Sequence, residues 1–337
     1  MALTLAGLPT VNQYDVNKFI LEPLFMGQDY MQYMDVMTDI KGTTVIDKFT
    51  ILGKITKAFT DDAFNSESVA AGATVTVTPA RLEAEIQFRA NSLFNKIKGQ
   101  LMRGSFDFDN IEGTAVKNIL LELISNSVKY DMNRQLWLSD SSSANADYGN
   151  YDGLFQAAAE ASATQLTNGD LTVSQGEGAL ASGGGVGILK DLYDNASPEL
   201  LEAGQHVYFV SGDIADDYMK ATLENTSYAA AGYGTLVNGM PQLTFRGIPV
   251  IVRRDWDVHI AADFANINGT DAATETHRAM LTTQDAFVVG TDFDANSIEQ
   301  WYSNDNKAYR FRVSYMVGCA LKDSKLAVVY TPEAITV

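Results

Sequence analysis

The stretch TAVKNILLELISNSVKYDMNRQLWLSD, residues 114–140, decides the fold. Ala115, Val116, Ile119, Leu120, Leu123, Ile124, Val128, Met132 and Leu136 recur at the spacing of one helical face. Asn118, Glu122, Ser125, Asn126, Lys129 and Asn133 fall on the other side, and no proline interrupts them. Thr114 is a candidate N-cap, with Asp109 and Glu112 as an alternative capping pair. The run Ser139 to Ser143 ends the pattern. A helix from Thr114 to Leu138 would be ~37 Å long at the α-helical rise, long for a globular domain. With one apolar side, it is expected to lie across a sheet as a strut.

Composition bounds what such a helix can belong to. The 337 residues are 46% hydrophobic, ample for a core, and their length predicts about two domains. With 24 basic against 42 acidic residues the net charge is -18. That surface repels nucleic acid and anionic lipid, which argues against a DNA-binding function and favours solubility at high concentration. Cys319 stands alone in an alternating apolar run, so no internal disulfide forms and a buried thiol is expected. No stretch approaches the ~20 apolar residues of a membrane span. Met1 to Pro9 lacks a basic leader with a hydrophobic block, so no signal peptide is expected.

On the N-terminal side, residues 1–42 form an irregular arm dense in aromatic and methionine side chains, with Gln28 to Asp39 readable as helical. Apolar surface of that size needs its own domain or a neighbouring subunit to cover it. Residues 43–90 read as a long hairpin. Thr43 to Leu52 is the first arm, and Ala58 to Ala73 a mobile acidic tip. In the second arm Val75 and Val77 alternate with threonines, then Leu82, Ala84, Ile86 and Phe88 with Glu83, Glu85, Gln87 and Arg89. Residues 91–111 carry the locally basic patch Lys96, Lys98 and Arg103, most simply a solvated helix face.

On the C-terminal side, residues 150–290 mix strands and helices without strict alternation, which argues α+β. His206 to Val210 reads as a buried strand, Ser211 to Asp213 as a cap for the helix after it, and Ile188 to Ala196 as a short helix. Leu243 to Phe245 and Ile248 to Val252 are strand pieces around Arg246-Gly247, with Pro249 marking a strand start or sheet edge. Residues 291–337 form a closing antiparallel sheet. In it Tyr309, Phe311, Val313, Tyr315 and Val317 share one face, Arg310, Arg312 and Ser314 the other.

Catalytic patterns are weak. The run Gly183-Gly184-Gly185-Val186-Gly187 lacks the lysine and hydroxyl of a phosphate loop and the last glycine of a dinucleotide motif, so it reads as a flexible loop. Asp292, Asp294 and Asn296 begin like a calcium loop, but Ser297 and Ser303 stand where glycine and glutamate belong. His206, His259 and His277 lack metal-ligand spacing, and His206 reads as structural. There is no G-x-S-x-G elbow. Asp61-Asp62 and Asp216-Asp217 are most simply solvated. No catalytic, cofactor or metal residue is assigned.

The order of elements is more telling: an arm, a long hairpin, a long helix, a mixed middle domain, then a closing sheet. It resembles the major capsid protein of tailed bacteriophages, the Hong Kong 97-like fold. Thr114 to Leu138, His206 to Leu223 and the Arg246-Gly247-Ile248-Pro249-Val250 turn carry the likeness. The resemblance implies an α+β chain with an N-arm at 1–42, an E-loop at 43–90 and a P-domain with its spine helix at 91–149. An A-domain at 150–290 and the P-domain's closing sheet at 291–337 follow. It further implies hexamers and pentamers of an icosahedral shell around double-stranded DNA, with portal, scaffold and decoration proteins as partners, in a virion assembled in the host cytoplasm. The E-loop of this fold lies over a neighbour's P-domain. Asp61, Asp62, Glu83 and Glu85 are therefore candidate inter-subunit partners of Lys96, Lys98, Arg103, Arg310 and Arg312. Encapsulin shells share the fold, and a carbohydrate-active enzyme using paired carboxylates is the rival of a different class.

Overall fold

The computed structural model describes residues 32–50, 71–89, 127–224, 233–263, 276–291 and 298–335, apart from short interruptions at 39, 129, 144, 174, 176–179, 238–239, 285, 304 and 307. In chain order the elements are β1 (Asp35–Met37), β2 (Thr44–Thr50), β3 (Ala71–Val77), β4 (Ala80–Arg89), α1 (127–138), α2 (Leu154–Glu160) and β5 (Thr164–Leu166). Next come α3 (Gly184–Asp194), α4 (Pro198–Glu202), β6 (His206–Ser211), α5 (Gly212–Glu224), β7 (Tyr233–Val237), β8 (Met240–Phe245), β9 (Ile248–Arg253) and α6 (Arg254–Asp263). The chain closes with β10 (Ala279–Thr283), β11 (Phe287–Thr291), β12 (Ile298–Ser303), β13 (Ala308–Leu321) and β14 (Ala327–Tyr330).

A seven-stranded sheet in the order β5-β14-β10-β6-β9-β8-β7 forms the central layer. Its inner strands are buried on both faces, which is why they read as unbroken apolar runs. On β6, Val207 and Phe209 enter one core cluster, Tyr208 and Val210 the other. β14 divides in the same way, Val329 to the first and Val328 and Tyr330 to the second. The second cluster is closed by Ile188, Leu189 and Leu192 of α3 and Ile214 and Tyr218 of α5. The first is shared with α1, α2, α6 and the second sheet.

That five-stranded sheet runs β1-β11-β13-β12, with β4 also paired to β13. Tyr309, Phe311, Val313, Tyr315 and Val317 of β13 all join the first core cluster, as their alternation predicts. Val128, Met132 and Leu136 of α1 meet them there, so the apolar stripe of the quoted stretch does face a core over 127–138. Its part before residue 127 lies outside the described residues. The stripe is wider than its spacing suggests, because Trp137 is also fully buried, 4.9 Å from Trp256, 5.0 Å from Phe209 and 6.1 Å from Phe155 between ring centres.

Several expectations change. The arm over 35–37 is a strand rather than a helix, because β11 offers it a parallel ladder, Asp35 opposite Val288. The second hairpin arm is two strands: β3 pairs with β2, and after Thr78-Pro79 β4 pairs with β13 from Ala80 to Arg89. A Cβ on Gly318 would lie 2.7 Å from the Thr78 carbonyl oxygen, so glycine lets the chain cross β13 at the break. The hairpin tip, including Asp61 and Asp62, lies outside the described residues. The closing sheet also divides, since β14 leaves it to pair antiparallel with β10 and parallel with β5. The 245–249 turn is a hairpin, with Arg246 at φ 51 and Gly247 at φ 81, and Pro249 lies just before β9 joins β6 at Val250.

The glycine run is not a loop. Gly184 to Gly187 form the first turns of α3, after Gly183 at φ 77. A Cβ on Gly185 would come within 2.5 Å of the Ile214 carbonyl oxygen, so glycine lets α3 and α5 cross in contact. Asp217 of α5 closes the junction by accepting the backbone N–H of Gly185 at 2.8 Å and of Gly183 at 3.3 Å. Its carboxylate takes the place an anion would hold at a helix N-terminus. Asp217 is thus a helix cap rather than a solvated charge, and Asp216 is ion-paired with Arg254 at 2.6 Å.

Candidate functional site

Four of the predicted contact residues come together on one exposed face. Strand alternation turns Glu83, Glu85 and Gln87 of β4 outward, and the register sets Glu85 opposite Arg312 and Gln87 opposite Arg310. Arg312 Nε donates to Glu85 Oε1 at 2.8 Å, while Glu83 and Glu299 carboxylates lie 3.9 Å from the guanidinium. Its carbon centre lies 5.8 Å from the ring centre of Trp301 on β12. The hydrogen bond Arg312 donates to Glu85 and the surrounding carboxylates raise the Arg312 pKa. Arg310 Nε donates to Gln87 Oε1 at 3.1 Å. Arg312 therefore has its acidic partners inside its own chain. Asp61, Asp62, Lys96, Lys98 and Arg103 lie outside the described residues.

A second polar cluster lies where β6 enters α5. Asp213 accepts hydrogen bonds from Ser211 Oγ, from Thr276 Oγ1 at 2.7 Å and from its neighbour Ile214 N–H at 2.7 Å, and it pairs with His277 Nδ1. Burial works to raise its pKa, but His277, Ser211 and Thr276 outweigh burial and bring it down to about 2. Asp257 on α6 behaves oppositely. Burial, then the Asp213 charge, push it up to about 7, although Gly212 N–H donates to it at 2.8 Å. Two carboxyls with separated pKa values are the pattern of an acid–base pair.

The arrangement does not support that chemistry. Asp213 is saturated by four donors, and Ser211 Oγ gives its proton to Asp213 rather than to His277, so no base activates the serine. A cavity of about 460 Å³ opens beside Gln32, Tyr33, Gln205, His206, Pro249 and Gln284, and no carboxylate lines it. His206 Nε2 is 2.6 Å from the Leu200 carbonyl oxygen, the structural role expected of it. Among the described residues no group of His, Cys, Asp and Glu is placed to hold a metal, and no helix is long and apolar enough to cross a membrane. The Cys319 thiol lies 2.8 Å from the Asp152 carbonyl oxygen, and burial pushes its pKa up.

A third network ties α1 to α6, and the sequence reading missed it. Asn133, placed on the polar face, donates to Asp255 at 2.8 Å and accepts from buried Arg253 at 2.7 Å. Arg134 pairs with Asp131 at 2.5 Å and lies 4.6 Å from the Tyr148 ring centre, and the Tyr148 hydroxyl donates to Asp263 at 2.5 Å. Such a network fixes two helices relative to each other. Its signal in the sequence is the Asn133-Arg134 and Arg253-Arg254-Asp255 clusters, of which only Asn133 entered the reading, as part of the polar face.

The backbone arrangement matches solved structures over about nine tenths of the chain. A chain of the satellite phage P4 procapsid, determined with its size determination protein, aligns over 91% of this chain and 96% of its own, at 10% identity and TM-score 0.54. The bacteriophage PhiM1 mature capsid gives 92% and 88%, at 9% identity and TM-score 0.51. The chain has a phage capsid fold. A structure from Mycobacterium phage Ogopogo shares that fold at TM-score 0.55, with 14% identity over 90% of this chain and 91% of its own. No protein-family model matches the sequence, and no curated protein does. The capsid fold is thus mixed α and β throughout, and it is legible here from backbone geometry with almost no sequence identity.

Proposed function

We propose that this chain is a major capsid protein that assembles with copies of itself into hexamers and pentamers of an icosahedral shell around double-stranded DNA. The observation that carries this reading is the capsid fold aligned over about nine tenths of the chain. Its features serve a structural role rather than catalysis: a saturated Asp213, buried strands and helices joined by ion pairs. The acidic balance of -18 suits a wall along which confined DNA slides instead of adhering. In this reading 43–90 is the E-loop, 91–149 and 291–337 the P-domain with its spine helix, 150–290 the A-domain and 1–42 the N-arm. Portal, scaffold and decoration proteins are the expected partners in a virion made in the host cytoplasm.

Distributed contacts repeated by symmetry would hold such a shell. Since Glu85 already engages Arg312 within the chain, Asp61 and Asp62 are the acidic groups offered to a neighbour's Lys96 and Lys98. Size-exclusion chromatography with light scattering on the purified chain tests the function. Capsomers or megadalton particles support it, and a monomer at every concentration and ionic strength contradicts it.

A further inference from the structure

The turn between β13 and β14 collects ion pairs from three separate parts of the chain. Lys322 Nζ reaches Asp35 Oδ2 of β1 at 2.6 Å. Asp323 pairs with Lys48 of β2. Lys325 Nζ reaches Glu199 Oε1 of α4 at 2.5 Å. Hydrogen bonds brace the turn itself. Asp323 accepts the Lys325 backbone N–H at 3.1 Å, Lys322 N–H donates to the Ala286 carbonyl at 2.9 Å, and Ser197 Oγ donates to the Lys325 carbonyl at 2.7 Å.

The hairpin it holds has a firm root and a bare outer half. At the root, fully buried Val77 packs with Ile40, Val288 and Ala320, and Ile46 and Val75 lean on that cluster. Val45, opposite Thr76 beside the root, is on the strand face turned away from that cluster and is 56% exposed, while further out Gly72, Ala73 and Thr74 are exposed and the β2–β3 ladder continues to Thr50 and Ala71 with no third strand beside it among the described residues. A two-stranded ribbon is marginal without backing. Lys48, opposite Ala73 in that outer part, is where a side chain of the ribbon ion-pairs with the body. Both partners are partly shielded, 33% and 22% exposed, which lessens solvent screening.

We propose that the 322–325 turn is a latch: the Lys48–Asp323 pair holds the β2–β3 hairpin down on the body, and breaking it lets the hairpin swing about its Val77 root. The lowered pKa of Asp323, where burial works upward but the Lys48 and Lys325 contacts outweigh it, fits a carboxylate kept charged for this pairing. The remaining pairs keep the turn in place when the hairpin leaves. The latch belongs to the single chain and goes beyond the capsid reading, so it is tested on unassembled protein.

The test is hydrogen exchange by mass spectrometry on the full chain, comparing wild type with Asp323→Asn, Lys48→Met and the charge-keeping Lys48→Arg. Asp323→Asn keeps an oxygen for the Lys325 N–H, so the turn survives. Asp323→Asn and Lys48→Met are each expected to raise exchange over 44–50 and 71–77 roughly fivefold, leaving β6 and β10 unchanged, while Lys48→Arg is expected to stay near wild type. Wild-type exchange of the hairpin in both Asp323→Asn and Lys48→Met would overturn the latch. So would a Lys48→Arg variant that exchanges as fast as Lys48→Met, because the charge pair would then not be what holds the hairpin.

Discussion

Asp257 is the residue whose chemistry is most at odds with its place. It lies on α6 against the start of α5, with Asp213 near and one oxygen buried without a hydrogen-bond partner among the described residues. Its folded pKa of about 7 exceeds the ordinary carboxylate value, so the folded state holds its proton more tightly than the unfolded chain. The resulting penalty is absent below about pH 4, grows as pH rises towards 7 and is complete above it. Asp257→Asn keeps the acceptor for Gly212 and removes the charge. The variant should melt higher than wild type at pH 8, with the gain vanishing near pH 4, as followed by circular dichroism. Asp213→Asn should do the opposite at pH 8, because its pKa of about 2 means its charge stabilises the fold there. Neither role was legible in the sequence, where Asp213 read only as a cap and Asp257 attracted no reading. Pairing between residues so far apart in the chain leaves no local pattern. Trp137 was missed for a related reason: a single-face stripe includes Leu136, but the last turn of α1 is buried on both sides of it.

Elements were legible where burial imposes a period. The alternation of β13, the continuous apolar run of β6 and the stripe on α1 each follow from which faces are covered. Elements were misread where a neighbour overrides local preference. Glycines weaken a helix by about 1 kcal/mol each relative to alanine, so 183–187 read as a loop. The close crossing with α5 and the Asp217 cap reverse that preference. The sharpest test is Gly185→Val. Its side chain would meet the Ile214 carbonyl and the Tyr218 backbone nitrogen, neither of which can rotate away. Urea unfolding should show a loss of roughly 2–4 kcal/mol, whereas Gly169→Val, facing only the Thr167 hydroxyl at 3.8 Å, should cost far less. Equal midpoints for the two variants would mean that α3 and α5 do not meet at Gly185.

At the scale of the whole molecule, the order of elements was more informative than any motif, and the fold it implied is the one the backbone matches. The division of strands between sheets was not legible, because β14 and β11 follow one another's neighbours in sequence yet join different layers. Of the candidate contact residues, Glu85 and Arg312 pair within the chain, as the β4–β13 register requires. This sharpens the inter-subunit prediction to the remaining set. Asp61→Lys with Asp62→Lys should slow assembly in light scattering while leaving the circular dichroism spectrum intact, and Lys96→Glu with Lys98→Glu in the same chain should restore it in part. Failure of that rescue would remove the pairing from the account.

The central claim is that copies of this chain close into a shell. Negative-stain electron microscopy of the purified chain, concentrated and supplied with its scaffold if it needs one, tests that claim most directly. The account predicts hollow round particles of uniform diameter with six- and five-fold capsomers on their surface. Fields containing only small, separate subunits under every such condition would contradict it.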